Sequence, residues 1–241
     1  MGSIPLYKKV KGQIIQNLIA GEWRPDEMIP VEKQLAKRFG VGISTIRAAI
    51  GELVASNVLV RIQGKGTFVA RHSSNQNAHR FFNLYHTSGV KALYYRQLVR
   101  ASRGRPDDET VRLLRLSGPE ETVARLRMHI SSRGTVIAVA DLTVSERLFP
   151  QLDKNFAIDG DKSLYAIFQI TYNINVVRVV ERLSAVKASA SVAKALGLKP
   201  GEPVLEVHRT AFTFNDQPVE SRTSWIHTRN YRYLISRGDE G

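Results

Sequence analysis

Apolar residues at Leu6, Val10, Ile14 and Leu18 recur every four positions, which lines one face of a helix and predicts a helical segment over 6–20. Gly21 ends it, and Pro25 and Pro30 bracket an extended connection. A shorter helical pattern follows at 31–39, with Leu35, Ala36 and Phe39 inward. Its Gln34 stands where a capping box places Glu or Gln, but Val31, at the N-cap position, has no side-chain acceptor. Gly40-Val41-Gly42 reads as a tight turn, and Ile46, Ile50, Leu53 and Val54 mark a third helix over 44–56. The pattern then turns extended. Val58-Leu59-Val60-Arg61-Ile62 and Thr67-Phe68-Val69-Ala70 flank Gly64-Lys65-Gly66, which predicts a hairpin. Three helices, a short turn between the second and third, and a two-stranded hairpin describe a winged helix-turn-helix within residues 1–70.

Residues 71–79 are polar and aperiodic, including His72-Ser73-Ser74-Asn75-Gln76-Asn77, and read as a linker. From 80 to 241 strand and helix patterns alternate in a second domain. A weak internal repeat runs through it at an offset of 82 positions. Leu114-Arg115-Leu116 matches Leu196-Gly197-Leu198; Val123, Arg125 and Arg127 match Leu205, Val207 and Arg209; the turn Ser132-Arg133-Gly134 matches Phe214-Asn215-Asp216. Each copy reads helix, turn, strand, hairpin turn, strand. Two such halves imply one antiparallel sheet with flanking helices. Between the copies, 163–171 reads as a helix and 176–187 as a long strand.

Composition narrows the function. A chain of 241 residues suits two ordinary domains, and 43% apolar with 24% charged residues is globular rather than disordered. No apolar run approaches the roughly 18 residues of a membrane span. Lys8, Lys9 and Lys11 interrupt the stretch where a signal peptide has its apolar core, so no secretory leader is expected. The absence of cysteine removes disulfides, thiolate metal sites and cysteine nucleophiles, and fits a cytoplasmic protein. His72, His79, His86, His129, His208 and His227 show no metal-ligand spacing, no glycine-rich phosphate loop follows a strand, and no nucleophile stands near a base. No metal, cofactor or enzymatic activity is therefore expected. The net charge of +13 points to a polyanion partner, and residues 1–72 carry it at about twice the density of the remainder.

That concentration falls on the elements that meet DNA in this fold. The third helix opens Gly42-Ile43-Ser44-Thr45-Ile46-Arg47. Ser44 and Thr45 suit phosphates or a thymine methyl, and Arg47, one turn along, suits a guanine edge or a phosphate. Lys33, Lys37 and Arg38 on the second helix suit the DNA backbone. Gly64, Lys65 and Gly66 put one cation on a hairpin tip with no bulk around it, which suits close approach to phosphates or a minor groove. Taken singly, the second-helix cations also suit a solvated face, and Gly-Lys-Gly also suits a plain hairpin turn.

The stretch from Pro30 to Val41 (Pro-Val-Glu-Lys-Gln-Leu-Ala-Lys-Arg-Phe-Gly-Val), with Ser44-Thr45-Ile46-Arg47-Ala48-Ala49-Ile50 and Gln63-Gly64-Lys65-Gly66-Thr67-Phe68-Val69, resembles the gluconate-repressor (GntR) superfamily over about residues 4–70. The resemblance implies a homodimer on a short palindromic operator in double-stranded DNA, with the third helix in the major groove and the wing tip nearby. Two positions depart from the family pattern. Val31 replaces the usual Ser of its Pro-Ser-Glu motif, and Ile43 stands where the family usually has a base- or phosphate-contacting Arg. Isoleucine cannot read guanine but can pack on a thymine methyl.

The second domain resembles the UTRA effector domain of the histidine-utilisation-repressor (HutC) branch, which shares a fold with chorismate lyase. The residues that carry this are Arg125-Leu126-Arg127, Ser163-Leu164-Tyr165, Glu181-Arg182-Leu183-Ser184-Ala185, Leu196 to Leu205 and Pro218-Val219-Glu220-Ser221. The expected architecture is α+β, a winged helix-turn-helix joined by the linker to a chorismate-lyase-like domain at 80–241. By motif position the family's effector pocket falls on Arg125, Arg127, Ser163, Tyr165 and Glu220, with Asp141 and Tyr231 as weaker carry-overs. Arg125 and Arg127, two apart on a strand, share one face and suit a carboxylate or phosphate. The alternative is a structural cluster in which they pair with Asp141 and Glu220. The function implied is a transcription repressor whose operator affinity a small anionic metabolite modulates. A ligand-independent DNA-binding control protein and a lyase-like enzyme are the competing readings.

Overall fold

In the computed structural model, which describes residues 4–71, 83–158 and 163–235, the N-terminal apolar stripe is inside. Val10, Ile14 and Leu18 are buried along α1 (Leu6–Ile19). α2 (Glu32–Phe39) and α3 (Ile43–Ala55) follow, joined by a turn in which Gly40 takes the left-handed conformation, φ 64°, that ends α2. β1 (Leu59–Ile62) and β2 (Gly66–Val69) pair antiparallel as the wing. Leu35, Ile46, Ile50, Leu53, Leu59 and Val69 close over the α1 stripe in one core. This is the expected winged helix-turn-helix. Beyond Arg71, the expected linker lies outside the described residues.

In the second domain, β3 (Leu84–His86) precedes β4 (Tyr95–Gly104), α4 (Asp108–Leu114), β5 (Val123–Ser132) and β6 (Thr135–Ser145). Then come α5 (Leu152–Ile158), α6 (Leu164–Tyr172), β7 (Arg178–Lys187), α7 (Ala190–Leu196), β8 (Pro203–Phe212), β9 (Pro218–Ile226) and β10 (Tyr231–Tyr233). Six strands form one antiparallel sheet in the order β4-β5-β6-β9-β8-β7, and β3 and β10 pair as a separate ribbon.

The internal repeat is real. An offset of 82 carries α4, residues 108–114, onto α7, residues 190–196. Both helices are closed alike: Asp107 and Ser189 accept the amides of Thr110 and Val192, and Arg115 (φ 48°) and Gly197 (φ 66°) end them left-handed. The halves β4-α4-β5-β6 and β7-α7-β8-β9 meet where β6 pairs with β9.

Because side chains alternate along a strand, the sheet has two distinct faces. Ala124, Leu126, Met128 and Ile130 of β5 enter the main core with Ala138, Ala140 and Leu142 of β6. α5, α6 and the β3–β10 ribbon cover this face through Phe156, Phe168, Leu84 and Tyr233, and Phe149 packs on Phe168 with ring centroids 4.2 Å apart. α7 covers part of the opposite face, over Val139 and Val204.

Phe168 is fully buried at the centre of the main core. Phe168→Ala is expected to lower unfolding free energy by about 3–5 kcal/mol in a urea titration. A loss below about 1 kcal/mol would contradict this packing.

Candidate functional site

The first candidate site is a groove of about 400 Å³ between α2, α3 and the wing, lined by residues that include Val31, Lys33, Ile43, Arg47 and Gly66. α3 starts at Ile43 with Gly42 as N-cap, so Ile43, Ser44 and Arg47 stand exposed at the helix head while Thr45 is half-buried. Glu32, in the first turn of α2, holds Arg47: Nε donates to its Oε2 at 3.0 Å and Nη2 lies 2.9 Å away. The same carboxylate reaches Arg61 of β1 at 3.5 Å, so helix head and wing share one anchor. Gly64 (φ 73°) and Gly66 (φ 130°) shape the wing tip and leave Lys65 exposed. A Cβ on Gly66 would lie 2.9 Å from the movable Met28 Sδ, so it is the backbone conformation that calls for glycine there.

Lys33, Ser44, Arg47, Lys65 and the wing glycines thus belong to one face or its edge. Arg38 differs. It pairs with Glu22, donating Nη2 to Oε2 at 2.9 Å, and lies over the rings of Trp23 and Phe39, 5.6 Å from each centroid. These partners tie it to the α1–α2 connection, and it lies outside the residues that line the groove. Glu32 and Arg61 were not singled out from the sequence. The signal was Glu32 itself, an acid amid basic residues on the helix preceding the turn.

The second candidate site is a buried polar cluster on the main-core face of the sheet. Arg209 of β8 donates Nε to Glu181 Oε1 of β7 at 2.7 Å, and Tyr233 of β10 donates to Glu181 Oε2 at 2.6 Å. Arg209 Nη1 and Arg222 Nη2 each reach the Tyr165 hydroxyl at 3.4 Å. Arg222 Nε lies 2.9 Å from Glu220 Oε1, close enough for an ion pair but poorly aligned, and neither oxygen of the fully buried Glu220 has a hydrogen-bond donor among the described residues. Arg96 of β4 enters the same region over the Phe156 ring.

Burial, then Glu220, pushes the Tyr165 hydroxyl up to about 12, and burial does the same to Tyr233, so both stay neutral. Burial lowers the Arg96 pKa. Burial also works against charge on Arg209, but the oxygens of Tyr165 and Glu181 outweigh it and its pKa rises. Among the described residues, three guanidiniums gather here with two carboxyl groups, a setting rich in donors for an acid group. A cavity of about 20 Å³ lies between Ile130, Val207, Arg209, Arg222, Ser224 and Tyr233, roughly the room one water needs.

The structure brings Tyr165 and Glu220 together, as expected, but not Arg125, Arg127 or Asp141. On β5 the even-numbered residues face the cluster; Arg125 and Arg127 point to the opposite face. There Arg127 pairs with Asp141 at 3.3 Å and Arg125 donates to the Arg105 carbonyl at 2.8 Å. Burial raises the Asp141 pKa against the pull of Arg127. The structural alternative holds for Arg127 and Asp141, while Glu220 pairs with Arg222 instead. Ser163 caps α6, accepting the Ala166 amide at 3.1 Å. Tyr231 packs edge-on to His86, and its neighbour Tyr233 reaches the cluster. Arg96, Glu181, Arg209, Arg222 and Tyr233 were missed as site residues. The available signal was parity: Val207, Arg209 and Ala211 place a cation in an otherwise inward apolar series.

Comparison with known proteins agrees with this division. The profile of the bacterial regulatory proteins of the gntR family matches residues 6–69, and that of the UTRA domain matches residues 94–232. An HTH-type transcriptional regulator of Mycobacterium tuberculosis is 30% identical, with 98% of this chain and 86% of the relative covered. The histidine utilization repressor of Pseudomonas putida is 28% identical over 90% of this chain and 86% of its own length. A solved ligand-binding domain of a GntR-family transcriptional regulator from Bordetella bronchiseptica superposes with a TM-score of 0.62 at 30% identity, covering 66% of this chain and 98% of that domain.

Three outcomes are expected if this groove faces DNA. Arg47→Ala is expected to weaken specific DNA binding by about 1–3 kcal/mol in fluorescence anisotropy, whereas Lys65→Ala should weaken specific and non-specific binding alike and reduce the salt slope by about one. Selection from random duplexes should enrich guanine at one half-site step for Ile43→Arg relative to the parent; identical preferences would refute a base-facing Ile43.

Proposed function

Since the chain belongs to the gntR family of bacterial regulatory proteins and carries a UTRA domain, we propose that it is a cytoplasmic repressor that binds a short palindromic operator as a homodimer and is tuned by an anionic metabolite. Its family and relatives are transcription regulators rather than enzymes, and none of its described helices is long and apolar enough to cross a membrane.

The observation that carries the ligand reading is Glu220. Its fully buried carboxyl group has an ion pair with Arg222 but no aligned hydrogen-bond donor among the described residues, so a guest that supplies one is favoured. Beside it, Arg96, Arg209 and Arg222 favour an acid group. The ligand that satisfies both is a carboxylate or phosphate ester that also carries hydroxyl or ammonium donors, a sugar acid, sugar phosphate or amino acid. Its acid group sits between the guanidiniums and its donor on Glu220. Such a molecule exceeds the present cavity, so its binding must part Tyr233 and the β3–β10 ribbon from Arg209. A ligand that favours one arrangement over another in this way can shift DNA affinity.

The test is a thermal-shift panel of carboxylates and phosphates of sugars and amino acids, followed by anisotropy on DNA selected from a random pool. A stabilising compound that also changes DNA affinity, and whose effect disappears in Arg222→Met but persists in Arg127→Ala, supports the reading. A response lost in Arg127→Ala and kept in Arg222→Met would move the ligand to the opposite face. Failure of the whole panel, with specific DNA binding intact, would favour a ligand-independent regulator.

A further inference from the structure

Two stiff elements run from the buried cluster and end in the winged-helix domain. The first is α6. Tyr165 lies in its first turn, among the cluster. Near its far end Gln169, 2% exposed, donates Nε2 to the carbonyl of Ala70, just beyond the wing, at 2.8 Å. Its C-cap Asn173 donates Nδ2 to the carbonyl of Ile19, the last residue of α1, at 3.1 Å.

The second is the β8–β9 hairpin. β8 carries Arg209 and β9 carries Glu220 and Arg222. The turn between them presses Phe214 into the winged-helix core, where it is 6% exposed in the same cluster as Ile14 and Leu53. That turn is braced from its own domain. Asn215 and Asp216 both take φ 57°, and Asp216 is held by Arg178 and by Arg115, whose Nη1 donates to its carbonyl at 2.9 Å. Phe214 is therefore a plug on a fixed arm rather than a side chain on a loose loop.

These contacts constrain the DNA-reading head. A buried amide bonded to a specific carbonyl is satisfied in one arrangement of the domains, and breaking that bond without water leaves polar groups unmet. The plug adds apolar burial that is lost if the domains part. Both anchors connect to opposite walls of the cluster: α6 carries Tyr165, and the hairpin carries the two arginines that share its hydroxyl. A change in the separation of these walls displaces both anchors together.

Resting on the effector reading of the cluster, we propose that Phe214 and Gln169 are positioning residues for operator binding: they set the orientation of the reading head according to the state of the cluster. Coupling of this kind runs through packed rigid elements with two arrangements, and its proof is an energetic link between the ends.

A double-mutant cycle on the full chain tests it. Tyr165→Phe removes the hydroxyl shared by Arg209 and Arg222 and perturbs the cluster without any ligand. Two readouts are taken: amide hydrogen exchange around Ile19 and Ala70, and affinity for the duplex that the parent selects from a random pool. Tyr165→Phe is expected to alter exchange at both segments and to change affinity about fivefold or more. On a Phe214→Ala, Gln169→Ala background both effects should disappear. Equal effects on the two backgrounds, or no effect on the parent background, would overturn the proposal. If Phe214→Ala unfolds the winged helix by circular dichroism, Gln169→Leu alone carries the cycle. If selection enriches no sequence, the repressor reading fails, while the exchange arm still decides whether cluster and reading head are linked.

Discussion

A guanidinium cannot be buried alone, and the second domain is arranged around that constraint. Arg209 and Arg222 lie side by side on neighbouring strands, both nearly inaccessible, in a face otherwise filled by Val207, Ala211, Leu142 and Ile226. Each needs oxygen partners that the sheet alone does not supply. Glu181 comes from the edge strand β7, Tyr165 from α6, Tyr233 from β10 and Glu220 from β9 itself. Satisfying two cations thus draws in helix, ribbon and sheet edge. Glu220 has Arg222 as its ion-pair partner but no aligned hydrogen-bond donor among the described residues, which is why the proposed guest is placed there.

The same elements make the two domains mechanically continuous. The winged helix has its own core, but that core accepts Phe214 from the second domain, and α1 and the wing each end on a side-chain amide of α6. The charge and geometry of the proposed DNA-reading surface are local, resting on Glu32 with Arg47 and Arg61 and on the glycines of the wing. The orientation of that surface is held from outside it.

Much of this was legible in the sequence, and the misses have physical causes. The three N-terminal helices and the wing were placed to within one or two residues, because a period of four and paired turn glycines leave little room for other readings. The repeat was legible from a handful of matches, and the caps of α4 and α7 bear it out. Assignment of side chains to a strand face was not reliable. Arg127 and Arg209 align at the repeat offset, yet one faces Asp141 on the outside of the core and the other Tyr165 within it. A shift of one residue between the helices and the strands they precede is enough to exchange the faces. Tyr165 and Glu220 survived that uncertainty because neither rests on the register of β5. The pairing of Arg38 with Glu22 could not be read in advance because Glu22 lies across a proline-bracketed connection whose path the sequence does not specify.

The proposed occupant of the Arg209–Arg222–Glu220 cluster is a donor-bearing anion. The most direct test is a crystal structure of the full chain with a compound that raises its melting temperature. The acid group is expected between the Arg209 and Arg222 guanidiniums and a hydroxyl or ammonium on Glu220, with Tyr233 displaced. Density for the compound against Arg125 and Arg127, with the cluster unchanged, would contradict it.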